Sequence, residues 1–315
     1  MKDQQGRNIQ YLRLSVTDRC NLNCRYCKPA GDPARNGAPL TPAELEAIGT
    51  AGVRLGLTKL RITGGEPLLR PDILDITRRL AGISGIEELA MTTNGLRLAD
   101  MAKPLGQAGL MRVNVSLDSL RPERFRALTG GGELASVLRG MDAAERAGLV
   151  PMKLNVVLMG GINEDEIPDF VALTRHRPII VRFIELMAVG EGAGFAATRF
   201  VSGDTVLKAC PDLIPIPGPA QGVACVYQLP NAVGKVGLIR PMSRHFCSQC
   251  NRIRVTADGN IKPCLHHGAE HSLRGLSGEA LTAALRQGVL SKPAGHIMTP
   301  HRPSGAGRNM HQIGG

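Results

Sequence analysis

Two groups of cysteines are spaced for metal chemistry. Cys20, Cys24 and Cys27 stand in DRCNLNCRYC at CxxxCxxC spacing, and Cys247 and Cys250 form a CxxC followed after thirteen residues by Cys264. A structural zinc closes on four ligands, and each group offers three thiols. His245, His266 or His267 could complete a Cys3His zinc in the second group. The other reading is a [4Fe-4S] cluster held by three thiolates, which leaves one iron open to a small molecule. Buried thiols packing as small hydrophobes are the bland reading of the first group, and its surroundings are too polar for that. Cys210 and Cys225 lie alone among apolar residues and are expected to pack.

Cations and glycines supply the remaining candidates. Arg13, Arg61, Lys153 and Arg182 fall within predicted strands, where a buried unpaired cation is costly. Taken singly each could be solvated or salt-bridged. On separate strands of one barrel they favour a shared anion, and planar guanidinium groups suit phosphate oxygens. In CNRIRV, Arg252 and Arg254 alternate with Ile253 and would share one strand face. TGGEP, Thr63 to Pro67, follows a strand, and its glycines permit close backbone approach to a ligand.

Such residues need a scaffold. Short apolar segments recur at Tyr11, Lys59, Glu88, Met111, Met152 and Ile179, with helical periodicity in TPAELEAIGTAGVRLG, DILDITRRLAGI and LASVLRGMDAAERAG between them. Strand and helix alternating in this way predict βα units around a parallel sheet, an α/β fold that is either doubly wound or a barrel. Polar residues gather at the strands' C-terminal ends, from Thr63 to Glu66, Thr92 to Asn94, Ser116 and Asp118, Glu185 and Met187, where a βα barrel places its active site. From about Ala188 the pattern dissolves into Gly, Pro and short apolar pieces. A second region begins near Val236, with RIRVTADGNIKPC read as a hairpin. The expected division is 1–235 and 236–315.

Composition narrows the class. Hydrophobic residues at 43% and charged residues at 21% describe an ordinary globular chain. Aromatics at 3%, with no Trp, argue against a base-stacking platform for single-stranded nucleic acid. A formal net charge of +11 suits an anionic partner without identifying it. The opening MKDQQGRNIQ lacks a signal peptide's apolar stretch, and no run reaches the roughly 18 apolar residues of a membrane span. The expectation is a cytoplasmic protein whose cysteines serve metals or packing.

CxxxCxxC with Tyr26 before its last cysteine resembles the signature of radical S-adenosylmethionine enzymes. LRLSVTDRCNLNCRYC, KLRITGGEPLLRPD, TTNGLRL, VNVSLDSL, KLNVVLM, RFIELM, FCSQCNRIRVTADG and the terminal IGG are together similar to the GTP 3′,8-cyclase family of molybdenum cofactor biosynthesis, over nearly the whole chain. The resemblance implies a partial (βα)6 TIM-like barrel with a C-terminal cluster-binding extension, two [4Fe-4S] clusters and S-adenosyl-L-methionine. It assigns Cys20, Cys24 and Cys27 to the cluster that generates a 5′-deoxyadenosyl radical, which removes the 3′ hydrogen of GTP. It assigns Cys247, Cys250 and Cys264 to a second cluster that binds guanine. Tyr26, Gly65, Glu66, Ser116 and Met187 become cofactor contacts. Arg13, Arg61, Thr92, Lys153, Arg182, Arg252, Ile253 and Arg254 become GTP contacts, and Gly314 and Gly315 a tail reaching the active site.

An external one-electron donor and a downstream cyclic pyranopterin monophosphate synthase are the implied partners, with neither membrane nor nucleic acid expected and a monomer or homodimer as the assembly. The rivals are a radical enzyme acting on RNA or on a peptide, and a non-catalytic zinc or nucleic-acid-binding module.

Overall fold

The computed structural model describes residues 1–28, 37–217, 223–299 and 302–314, apart from the Glu191 side chain. Its strands are β1 (Tyr11–Ser15), β2 (Lys59–Thr63), β3 (Glu88–Thr93), β4 (Arg112–Ser116), β5 (Lys153–Leu158), β6 (Ile180–Glu185), β7 (Ile214–Pro215), β8 (Cys225–Gln228), β9 (Lys235–Ile239), β10 (Arg252–Val255), β11 (Asn260–Lys262) and β12 (His271–Ser272). Its helices are α1 (Pro42–Arg54), α2 (Ile73–Ala81), α3 (Leu98–Gln107), α4 (Pro122–Thr129), α5 (Leu134–Arg146), α6 (Ile167–Ala172), α7 (Ala193–Arg199), α8 (Asp204–Ala209), α9 (Gly278–Leu290) and α10 (Met310–Ile313). The six apolar segments read from the sequence are β1 to β6, in parallel and in chain order.

Local signals fix several boundaries. Thr41 caps α1, its hydroxyl accepting from the Glu44 N–H at 3.2 Å while the Glu44 carboxylate accepts from the Thr41 N–H at 2.7 Å. Pro42 occupies the first helical position, where its missing N–H costs nothing.

Strand periodicity divides the sheet's two faces. Leu12, Leu14, Leu60, Ile62, Val113, Val115, Leu154, Val156, Val181 and Phe183 are buried in the main hydrophobic core. The alternate residues Arg13, Arg61, Thr92, Asn155 and Arg182 line a cavity on the other face. A flat sheet could not bring β1, β2, β3, β5, β6 and β10 to one cavity, so the sheet is curled into the partial barrel the sequence implies.

Both flanks of this barrel come from the C-terminal third. β9 pairs parallel with β6, and β10 pairs parallel with β1, setting Arg252 opposite Tyr11 and Arg254 opposite Arg13. The ADGN hairpin forms, β10 running antiparallel to β11. Its first strand is nevertheless interior to the sheet, a long-range pairing that a turn signal cannot reveal. Cys225 corrects an expectation: it is exposed, 3.3 Å from the Arg240 Nη2 donor, because β8 lies near the sheet's edge. Cys210 does pack against the core.

The chain end is latched. Arg308, with only 4% of its side chain exposed, donates to both Glu270 oxygens, through Nε at 2.6 Å and through Nη2, and to Asp258 Oδ2 at 2.9 Å. Lys262 Nζ donates to the Ala306 carbonyl at 3.0 Å. Asn309 and Gln312 then form a capping box that starts α10. Replacing Arg308 with Met takes the main cation from two half-buried carboxylates, leaving Glu270 to Lys262 and Asp258 to Thr256, a loss of about 2 kcal/mol. We expect amide exchange across residues 309–314 to quicken at least about tenfold while β1 to β6 stay protected; unchanged exchange in the tail would refute the latch.

Candidate active site

At the mouth of the barrel the first cysteine group occupies the loop after β1. The Cys27 N–H donates to the Cys24 carbonyl at 2.9 Å, a turn that sets these two thiols close along the chain, and the Leu22 N–H approaches Cys20 Sγ at 3.5 Å. Burial pushes the Cys24 thiol well up; burial, helped by Cys20 and Asp118, takes the Cys27 thiol up to about 12. Such thiols ionise only beside a strong positive centre, which iron supplies. The soft donor set and the amide near Cys20 Sγ fit an iron-sulfur cluster.

The rest of the mouth is tied to this loop. Tyr26 Oη donates to Asp118 Oδ2 at 2.7 Å, and the Val157 N–H donates to Asp118 Oδ1 at 2.8 Å. Burial raises Asp118 to about 6 against both hydrogen bonds. Gly65 presses on the loop, since a Cβ there would lie 2.3 Å from the Arg19 carbonyl oxygen. Glu66 is almost fully buried and accepts from the Leu68 N–H at 3.0 Å, Thr93 Oγ1 at 2.7 Å and the Asn94 N–H at 2.7 Å. Burial brings it up to about 7 against those bonds. The carboxylate therefore braces the loops after β2 and β3. Ser116 ends β4 opposite Asn155, and Met187 lines the cavity.

Below the mouth, the register assembles cations. Arg254, Arg13 and Arg61 are neighbours across β10, β1 and β2, Lys153 sits on β5 opposite Asn114, and Arg182 sits on β6 opposite Asn155. The Nε atoms of Arg13, Arg61 and Arg182 are buried without a hydrogen-bond partner, as is Thr92 Oγ1. Arg61 lies over the Tyr11 ring at 5.1 Å, and Arg13 over the same ring at 5.8 Å. Burial, then repulsion from Arg182, Arg112 and Arg61, lowers Lys153 to about 6. Burial and Arg61 lower Arg182 to about 9, and burial and Arg252 lower Arg254 to about 10. Glu88, the neighbouring carboxylate, is committed to Arg112.

The same cavity reaches Cys247, Cys250 and Cys264 and encloses about 1020 Å³, the open solvent at its mouth included. Burial would raise the Cys250 thiol, but Arg252 and Lys292 outweigh it and bring the group down to about 6, ready to bind a metal as thiolate. His245 and His266, the alternative ligands here, pack against the His296 ring at centroid distances of 4.4 and 4.5 Å. Among the described residues no three His, Cys, Asp or Glu side chains close on one point as a single ion's ligands do. A cubane instead takes each thiolate on a separate iron, which spreads its ligands.

Some assigned residues stand apart. The Ile253 side chain is fully buried in the core on the opposite face from Arg252 and Arg254, so only its backbone adjoins the cavity side. Gly314 sits over β1 and β2 with φ +79°, where a Cβ would lie 2.3 Å from Thr63 Oγ1, and its carbonyl accepts from Arg254 Nη1. Gly315 lies outside the described residues.

Sequence reading missed Arg7 and Lys292. Arg7 donates to the Cys247 carbonyl at 2.9 Å and the Pro293 carbonyl at 2.8 Å; Lys292 Nζ donates to the carbonyls of Arg252 at 2.8 Å and Pro263 at 2.9 Å. They hold the segments bearing the second cysteine group. Neither sits in a motif; Arg7 also pairs with Asp3 at 2.6 Å, but the carbonyls through which both hold the cysteine segments lie far along the chain, so no local signal marks that role.

Comparison with known proteins places the chain in a family. Residues 14–174 match the family described as the Radical SAM superfamily, and residues 179–298 match Molybdenum Cofactor Synthesis C. A curated GTP 3′,8-cyclase of Alkaliphilus metalliredigens is 46% identical over 320 residues, 100% of each chain. One of Peptoclostridium acidaminophilum is 46% identical over 319 residues, covering 99% of this chain and 98% of the relative. Among solved structures, Streptococcus suis SuiB bound to S-adenosylmethionine aligns with TM-score 0.62 at 15% identity, covering 89% of this chain and 68% of that one, a likeness of fold. The chain belongs to the GTP 3′,8-cyclase family of radical SAM enzymes.

Proposed function

We propose that this chain converts GTP to (8S)-3′,8-cyclo-7,8-dihydroguanosine 5′-triphosphate, the opening step of molybdenum cofactor biosynthesis, with the cationic lumen as its GTP site. One observation carries the reading: buried cations with unpartnered donors converge in a cavity that also reaches the second cysteine group. A triphosphate answers those donors, and few other small molecules bring as much charge.

When bound, S-adenosyl-L-methionine and the cluster on Cys20, Cys24 and Cys27 supply the hydrogen-abstracting radical, chemistry that no side chain here can provide. Cys247, Cys250 and Cys264 would hold the second cluster near the guanine. The chain's own task is placement. Arg13, Arg61, Lys153, Arg182, Arg252 and Arg254 neutralise the phosphates, Thr92 offers a hydroxyl, and the Ile253 backbone runs between two of the arginines. Tyr26, Gly65, Ser116 and Met187 form the cofactor side of the mouth, with Glu66 bracing it. Gly314 closes the space from the tail, keeping water and stray hydrogen donors from the reacting carbon.

On this reading residues 1–235 carry the barrel and the first cluster, and residues 236–315 carry the second cluster and the tail. The enzyme works in the cytoplasm as a monomer or homodimer, draws on an external one-electron donor, and passes its product to a cyclic pyranopterin monophosphate synthase. Among the described residues no helix is long and apolar enough to cross a membrane.

The depressed Lys153 gives a signed test. With its group near 6 before substrate binds, the lysine is mostly neutral at pH 8, and a bound triphosphate favours the charged form. GTP binding above pH 6 should therefore take up a proton, and affinity should fall by up to about tenfold per pH unit until the pKa of the bound state is passed. Calorimetry at pH 8 in buffers of different ionisation enthalpy should register this uptake, and Lys153→Met should abolish it. No GTP binding, or uptake that persists in the variant, would contradict the assignment.

Lys292 yields a second test. Lys292→Met removes a cation beside Cys250 and the tie to Pro263. Anaerobically reconstituted protein should drop from about eight irons per chain toward about four, with the first cluster's S-adenosylmethionine-dependent spectral change retained. Full iron content would show that the lysine does not hold the second group.

A further inference from the structure

Asn155 differs from the rest of the lumen. Its Oδ1 is a buried acceptor without a donor, whereas the unpartnered atoms of Arg13, Arg61 and Arg182 are donors. A triphosphate, which carries only acceptors when ionised, satisfies the donors and leaves this oxygen unanswered. With the arginine donors engaged by phosphate, an O–H or N–H of the nucleoside is the partner a bound nucleotide can offer it.

The register says which part of the nucleoside meets it. Asn155 stands between Ser116 on β4 and Arg182 on β6. Along β5, Lys153 lies two residues below it, and Val157, whose N–H reaches Asp118, lies two residues above. Two residues of strand span roughly 6.6 Å, so Asn155 sits one layer beneath the cofactor side of the mouth and one layer above Lys153. The second cysteine group is associated with β10, separated from β5 by β1, β2, β3 and β4 in the sheet order. Arg182 shares the layer of Asn155 and Lys153 lies below it, so with cofactor above and guanine toward β10 this layer falls where the phosphates join the sugar.

We propose that Asn155 is a specificity residue that accepts a hydrogen bond from a ribose hydroxyl of GTP and thereby selects ribonucleotide over deoxyribonucleotide. The inference rests on the lumen being the GTP site. A carboxamide suits the role because a carboxylate there would attract the surrounding cations and compete with the phosphates, while the neutral amide keeps its acceptor for a hydroxyl.

The test measures anaerobic binding of GTP, 2′-deoxyGTP, 3′-deoxyGTP and inorganic tripolyphosphate to reconstituted holoenzyme and to its Asn155→Ala variant. Wild type should bind one deoxynucleotide roughly 10-fold more weakly than GTP or worse. The variant should bind GTP as weakly as that deoxynucleotide, no longer tell the two apart, and retain wild-type affinity for tripolyphosphate. That last result establishes a folded, charged lumen. Discrimination that survives in the variant overturns the proposal, as does equal loss for all four ligands. If wild type binds GTP and both deoxynucleotides alike, Asn155 loses this role and the GTP site stands. If wild type binds tripolyphosphate but not GTP, the GTP reading itself falls, and this inference with it.

Discussion

Like charges confined in a barrel lumen are the constraint to which the rest of the structure answers. Two unit charges about 7 Å apart repel by about 2 kcal/mol at an effective dielectric constant near 20; Arg13, Arg61, Arg182 and Arg254 line one cavity, and Lys153 lies near enough to be repelled by Arg182 and Arg61. Strand pairing holds them there, since the alternate residues of the same strands are locked into an aliphatic core. Moving Arg13 or Arg61 out of the lumen would require turning Leu12, Leu14, Leu60 and Ile62 out of that core. The Tyr11 ring beneath two guanidinium groups offsets part of the repulsion. The remainder is left for an anion to relieve, so the cost of gathering these cations becomes affinity for an anionic ligand.

Closing the space takes contacts from both chain ends. Arg7, near the N-terminus, holds the Cys247 segment, and Arg308 seats the tail so that Gly314 lies over Thr63 with its carbonyl on Arg254. Each contact commits a charged side chain to backbone carbonyls or to half-buried carboxylates, and each reaches an element remote in sequence. The second cysteine group and the tail are thus fixed to the barrel rather than appended to it.

How much of this was legible depended on range. The βα alternation, the α1 start at Thr41 and the two cysteine spacings are local patterns, and each appears where the sequence put it. Local patterns also brought Arg13, Arg61 and Arg182 onto strands, because apolar residues flank them with period two. What the sequence could not show was pairing at long range. β10 reads as half of a hairpin, and only the fold reveals that its other edge joins β1. Lys292 and Arg7 carry no motif because they bind main chain. Nothing local in KLNVVL marks Asn155; only the packing of its neighbours leaves its oxygen without a donor. Cys225 misled because apolar neighbours in sequence do not guarantee a buried position near a sheet edge.

The central claim is that this geometry presents the 3′ carbon of GTP to the cofactor side of the mouth. Reconstituted enzyme should be given dithionite, S-adenosyl-L-methionine and GTP deuterated at the 3′ position, and the 5′-deoxyadenosine weighed by mass spectrometry. The account predicts a nucleoside heavier by one deuterium. A nucleoside formed at a comparable rate without deuterium would show that the lumen does not hold GTP in the pose described, and would contradict the account.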